Sequence, residues 1–144
     1  MTETVTGGCG CGAVRYEFCD EPVLTLNCHC RDCQRASGSA YGSFLIVWQA
    51  TFKMLGATPK YYAKVSDGGN AVERGFCAEC GSPVTILEPH RPKLIFLHAG
   101  SLDDPSQHQP AMDIFTESAH AWDLLDPNRE KFPGMPPVPD DLGT

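Results

Sequence analysis

Apolar and polar residues alternate in short runs along this chain, and glycine or proline cuts each run off. Residues 13–18 read Ala-Val-Arg-Tyr-Glu-Phe, which sets Val14, Tyr16 and Phe18 on one face. That is the two-residue period of a half-buried strand. Residues 23–26 form a second short strand that runs into a cysteine cluster. Residues 40–48 are continuously rich in aromatic and β-branched side chains and read as a central strand. The pattern predicts further strands at 52–55, 60–64, 71–76, 83–87, 94–98 and 113–116. No window keeps a strong helical period over about 12 residues. Many short strands with frequent turn signals predict an all-β fold of antiparallel sheets.

Composition adds boundaries to this picture. The chain has 144 residues, 14 Gly and 12 Pro, enough for one domain with many turns. The prolines crowd at the end, with Pro127, Pro133, Pro136, Pro137 and Pro139 in the last stretch. The expected organisation is therefore one zinc-binding domain over residues 6–123 and a Pro-rich tail over 124–144, irregular and lying on the surface or free. No segment approaches the roughly 20 apolar residues that a membrane helix needs. The N-terminus lacks the basic and apolar parts of a signal peptide, so the cytoplasm is the expected compartment. The formal charge is −7, with no basic run. That disfavours nucleic acid, which is bound by neutralising phosphates.

The eight cysteines carry the chemistry. Cys9 and Cys11 form a C-x-C turn, Cys28, Cys30 and Cys33 lie close together, and Cys77 and Cys80 form a C-x-x-C turn. In a reducing compartment, clustered cysteines of this kind bind metal more readily than they form disulfides. Zinc takes thiolates, tetrahedrally when the site is structural, and a tight turn presents two sulfurs to one ion. Only Cys19 lies outside every cluster and reads as a packing or surface residue. Spacing does not fix how the other seven divide. Cys30 and Cys33 with Cys77 and Cys80 would make an ordinary zinc ribbon and strand Cys9, Cys11 and Cys28. Cys9/Cys11 with Cys77/Cys80 is tidier, and leaves Cys28, Cys30 and Cys33 as a trio with an open fourth position. Three protein ligands and an open position are the pattern of a catalytic zinc.

The residues Gly8-Cys9-x-Cys11-Gly-Ala-Val-Arg15-Tyr16, Cys28-His29-Cys30-x-x-Cys33-x-x-Ala36-Ser37-Gly38 and Phe76-Cys77-x-x-Cys80-Gly81-Ser82-Pro83 resemble the glutathione-dependent formaldehyde-activating enzyme family, which includes centromere protein V. Gly100-Ser101-Leu102-Asp103-Asp104-Pro105 resembles a further stretch of it. The resemblance implies a β-tent of antiparallel sheets. It implies that Cys9, Cys11, Cys77 and Cys80 hold a structural zinc. It implies a second, catalytic zinc on Cys28, Cys30 and Cys33. Two zinc ions per chain are therefore expected, the second weakly held. The activity implied is that of a carbon–sulfur lyase acting on thiol/aldehyde adducts such as S-hydroxymethylglutathione. Its partners would be a small-molecule thiol such as glutathione and an aldehyde. The chain departs from the family pattern at Asp113, where His is common, and at Ala119, where a basic residue is common.

Other residues take ordinary readings beside these. His29, between two candidate ligands, is expected to be structural. His90, His98 and His108 read as surface or core, and His120 is the best outsider. Arg31 and Arg35 flank the trio, where they either attract an anionic thiol or offset thiolate charge. Asp103 and Asp104 shape a turn before Pro105. Two other classes of function fit the cysteines: a non-catalytic zinc module for a protein partner, and a redox protein using Cys30 and Cys33.

Overall fold

The structure is a computed structural model and describes residues 3–66, 68–139 and 142. It is built from strands: β1 (Val5–Gly8), β2 (Arg15–Phe18), β3 (Leu24–Cys28), β4 (Gly42–Trp48), β5 (Phe52–Met54), β6 (Lys60–Val65), β7 (Ala71–Phe76), β8 (Pro83–Leu87), β9 (Leu94–His98), β10 (Met112–Ile114) and β11 (Glu130–Lys131). The α-helix, α1 (Arg31–Ser37), joins β3 to β4. The all-β class that the alternation predicts is the class observed. Among the described residues, no helix is long and apolar enough to cross a membrane.

The strands form two sheets. The smaller has the order β1-β2-β5, and the larger β11-β10-β3-β4-β9-β8-β7-β6. Most neighbours are antiparallel, as expected, but β10 runs parallel to both β3 and β11. Alternation reports which face a strand buries and carries no direction, so this edge could not be read from it.

The larger sheet is buried on both faces at its centre. That explains the unbroken apolar run Phe44-Leu45-Ile46-Val47 in β4. Leu45 and Val47, with Ile95 and Leu97 of β9, meet Val14, Tyr16 and Phe18 around β2 of the smaller sheet. Phe44 and Ile46 point to the opposite face, where Leu26, Ile86, Leu94 and Ile114 form a second core with Cys28, Cys30 and Cys33. The candidate trio thus lies on the face of the large sheet turned away from the small one.

β1, α1 and β11 escaped the sequence pattern. β1 ends in two glycines and so has little apolar signal. α1 has seven residues, too few for helical periodicity to emerge. β11 is two residues long inside the Pro-rich tail. That tail is tied down by backbone bonds: Phe132 N–H donates to Asp113 O at 2.9 Å, Thr116 N–H to Phe132 O at 3.1 Å, and Phe115 N–H to Gly134 O at 3.1 Å. Phe132 packs against the second core and Pro136 is buried.

Candidate metal centres

The β1–β2 turn and the β7–β8 turn meet outside the sheets and bring four sulfurs together. The Sγ atoms of Cys9, Cys11, Cys77 and Cys80 lie within 4.8 Å of one another. Cys9 and Cys11 are 3.6 Å apart, and Cys11 and Cys77 are 3.7 Å apart. A tetrahedron of thiolates at about 2.3 Å from zinc has edges of about 3.8 Å, so the spacing fits that ion. Local structure explains the turns. Gly81 adopts φ +78, and its N–H donates to Cys77 O at 2.9 Å. A side chain at that φ would be strained. The Ser82 hydroxyl accepts from Gly10 N–H at 3.0 Å and lies 3.2 Å from Cys80 Sγ, tying the two turns.

Backbone amides face these sulfurs. Val14 N–H reaches Cys9 Sγ at 3.2 Å, and Glu79 and Cys80 N–H reach Cys77 Sγ at 3.4 and 3.5 Å. The Val14 amide holds the Cys9 thiol below its ordinary value. The Ser82 hydroxyl, helped by its amide, holds Cys80 down to about 5. The Ala13 amide favours the Cys11 thiolate, but the bonds to Cys9 and Cys80 outweigh it and push Cys11 up to about 12. Donors aimed at sulfur suit thiolate ligands.

The second cluster is local. Cys28 ends β3, Cys30 caps α1, and Cys33 lies in its first turn. The three Sγ atoms lie within 4.8 Å of one another, and all three residues are buried. Cys30 Sγ accepts from Cys33 N–H at 3.3 Å, the bond of a helix cap. Among the described residues, no fourth Cys, His, Asp or Glu joins the group. Cys28 pairs with Gly42 across the sheet. A Cβ on Gly42 would stand 2.6 Å from the Phe44 ring, so glycine makes room for that ring beside the cysteines.

Crowding splits the three thiols. Hydrogen bonds from Cys28 and Cys33 hold Cys30 down to about 2, while its bond to Cys30 pushes Cys28 far up. Three buried thiolates cannot ionise together without a counter-charge. Part of that charge is present: Arg74 on β7 sets Nη2 3.8 Å from Cys33 Sγ. A divalent cation would supply the rest, and a thiol donor set suits zinc.

The trio is braced from behind. His29 is fully buried, and Nε2–H donates to Asp113 Oδ1 at 2.8 Å. Its Nδ1 lies 3.2 Å from Asp123 Oδ2. Arg129 of the tail closes on Asp113 at 3.2 Å. Gln34 of α1 donates to His29 O at 2.8 Å and to Ser118 O at 3.0 Å, and accepts from His120 Nε2 at 2.9 Å. His29 is therefore structural, as expected, and His120 holds the helix. The departure from the family pattern at Asp113 is the carboxylate that fixes His29. Arg31 turns to Gln34, and Arg35 and Cys19 are exposed. The sequence reading missed Arg74, because strand pairing rather than proximity in the chain brings it to the cysteines.

The fold is all-β and gathers seven cysteines into two clusters that could each hold a metal ion. A sequence model of the glutathione-dependent formaldehyde-activating enzyme family matches residues 4–118, and the chain belongs to that family. It is 28% identical to a Halomonas elongata protein given the provisional description glutathione-dependent formaldehyde-activating enzyme, over 90% of this chain and 87% of that one. Its fold is similar to the crystal structure of a Rhodobacter sphaeroides protein, with a TM-score of 0.54 and 14% identity, covering 88% of this chain and 98% of that one.

Proposed function

We propose that this chain is a zinc-dependent carbon–sulfur lyase-type enzyme acting on thiol/aldehyde adducts, in the manner that the family description names for glutathione and formaldehyde. One observation carries the proposal: the buried Cys28, Cys30 and Cys33 sulfurs form an incomplete metal shell at the wall of a cavity of about 130 Å³. Cys9, Cys11, Cys77 and Cys80 would hold a structural zinc, and Cys28, Cys30 and Cys33 a catalytic one. When bound at the trio, zinc supplies a Lewis acid and lowers the pKa of a substrate thiol.

The protein's own groups supply the rest. Burial removes bulk water from around the three sulfurs and strengthens their attraction for a cation. Arg74 holds a fixed positive charge beside Cys33, placed to favour an anionic sulfur or oxygen in the cavity. The Asp113–His29–Asp123 brace and Gln34 fix α1, and with it Cys30 and Cys33, against β3. Ligand positions that do not relax keep the open position open.

The test is adduct formation from formaldehyde with a panel of thiols, comparing the native protein with a Cys28/Cys30/Cys33 serine variant. The native protein is expected to exceed both the variant and the uncatalysed rate. Equal rates for every thiol would overturn the proposal.

A further inference from the structure

Glutathione has two carboxylates and an ammonium group, and formaldehyde has two heavy atoms. The cavity beside the trio suits neither. It follows β3 from Cys28 past Leu26 to Leu24, about 13 Å at the rise of a strand. Phe44, Ile46 and Phe96 continue its floor across β4 and β9. Met135, Pro136 and Val138 of the tail form the other wall. The tail is held there by its three backbone bonds to Asp113, Phe115 and Thr116. Phe115 lines the cavity in the left-handed conformation, at φ +55.

Charge decides what this space accepts. Among the described lining residues the guanidinium groups are those of Arg74 and Arg91. Arg91 is neutralised by Glu88 at 3.2 Å. Arg74 reaches Cys33, and its Nη1 is buried without a partner. One guanidinium already turned to Cys33, with the His90 imidazole whose two nitrogens are also buried without a partner, offers too little to match two carboxylates and an ammonium, and a charged group buried without a partner is strongly disfavoured. Formaldehyde would leave the apolar space unfilled. A dry apolar cavity of about 150 Å³ holds benzene, and this one is ≈ 130 Å³.

We infer that the adduct handled at the Cys28/Cys30/Cys33 site bears a compact, uncharged apolar substituent of about six heavy atoms, such as a phenyl ring or branched alkyl group. The substituent lies between Leu26, Phe44 and Ile46 and the tail, with the adduct oxygen towards Arg74. This inference rests on the lyase-type reading above and narrows its substrate class. The reaction stays balanced: the thiol sulfur bonds to the aldehyde carbon, the carbonyl π pair moves to oxygen, and the thiol proton ends on that oxygen. The reverse breaks the same carbon–sulfur bond and returns the proton to sulfur. The apolar group belongs to either the aldehyde or the thiol.

The experiment uses the zinc-loaded full chain in three arms: glutathione with formaldehyde, glutathione with benzaldehyde, and phenylmethanethiol with formaldehyde. At least one apolar arm is expected to exceed the first in kcat/KM by about tenfold or more, since each buried methylene is worth about fourfold. The winning arm shows which half carries the group. The first arm being fastest would overturn the inference. Calorimetry on the same protein separates the two readings. Phenylmethanethiol or benzaldehyde is expected to bind at least about tenfold tighter than glutathione, and Met135→Asp to remove most of that preference. Tight apolar binding without turnover in any arm would sustain the cavity assignment and overturn the enzyme. Failure of both phenylmethanethiol and benzaldehyde to bind more tightly than glutathione, or a preference unmoved by Met135→Asp, would overturn the assignment whatever the rates.

Discussion

Cys9, Cys11, Cys77 and Cys80 meet where turns from two different sheets cross, and Cys11 and Cys80 are exposed. Cys28, Cys30 and Cys33 come from one continuous stretch, and all are buried. The first cluster joins parts of the chain that are 66 residues apart and supplies four sulfurs, the number that a tetrahedral ion takes. The second adds little chain closure, because its members are already neighbours. Its surroundings are elaborate instead: a charged arginine, a braced histidine and a cavity. Sulfur number and chain separation suit the first cluster to the staple proposed for it, and burial with an incomplete shell suits the second to the proposed chemistry.

Serine substitution separates the two most strongly. Structural zinc contributes its binding energy to folding. Cys77→Ser is expected to cost several kcal/mol, lowering Tm by about 10 °C or more in a thermal melt. Cys30→Ser should change Tm by only a few degrees and bring adduct formation down to the uncatalysed rate. Collapse of the fold on Cys30→Ser, with Cys77→Ser tolerated, would reverse the roles.

The brace behind the trio gives the next effect. Asp113→Ala leaves His29 and Arg129 facing an empty buried position, at about 3–5 kcal/mol in chemical denaturation. It is also expected to lower zinc content at the trio while leaving the four-cysteine site loaded. Loss of both ions together would mean that the brace serves the whole fold.

His98 gives a comparable effect confined to acid. Burial, with the Arg74 charge, depresses it to about 4 from 6.5. The folded state disfavours the proton, so the unfolded chain binds it first as pH falls. His98 therefore adds no penalty above pH 6.5, and stability is lost progressively between 6.5 and about 4. The loss is about 3 kcal/mol, at about 1.4 kcal/mol for each tenfold change in proton affinity. Denaturation midpoints at pH 7 and 4.5 for the native chain and His98→Gln should show the smaller acid loss in the variant.

The smallest effect belongs to the exposed counterpart of Asp113. Asp103 accepts from Arg15 at 2.5 and 2.8 Å and from Thr6 at 2.6 Å, and Arg15 holds its carboxyl down to about 2. Because both partners are half in water, Asp103→Asn should cost less than about 1 kcal/mol, and less still in high salt. A cost matching that of Asp113 would remove burial as the explanation of the difference.

Much of this was legible in the chain. Val14, Tyr16 and Phe18 announced β2, the run at Phe44–Val47 announced a central strand, and the spacing of seven cysteines announced clusters that could hold metal. These are local signals, because alternation and ligand spacing are set by covalent geometry. The pairing of Cys9/Cys11 with Cys77/Cys80 was left open by spacing, since any two tight turns present sulfurs equally well. It depends on where β1, β2, β7 and β8 end in space.

The sequence by itself determined an all-β chain with seven cysteines suited to metal. The tertiary structure decided that Cys28, Cys30 and Cys33 face an apolar cavity, that Arg74 supplies the nearby charge, and that Asp113 locks His29 behind them. Those partners lie far apart along the chain. Only strand order and the return of the Pro-rich tail over the sheet bring them together, and no local pattern encodes a contact closed by two distant segments.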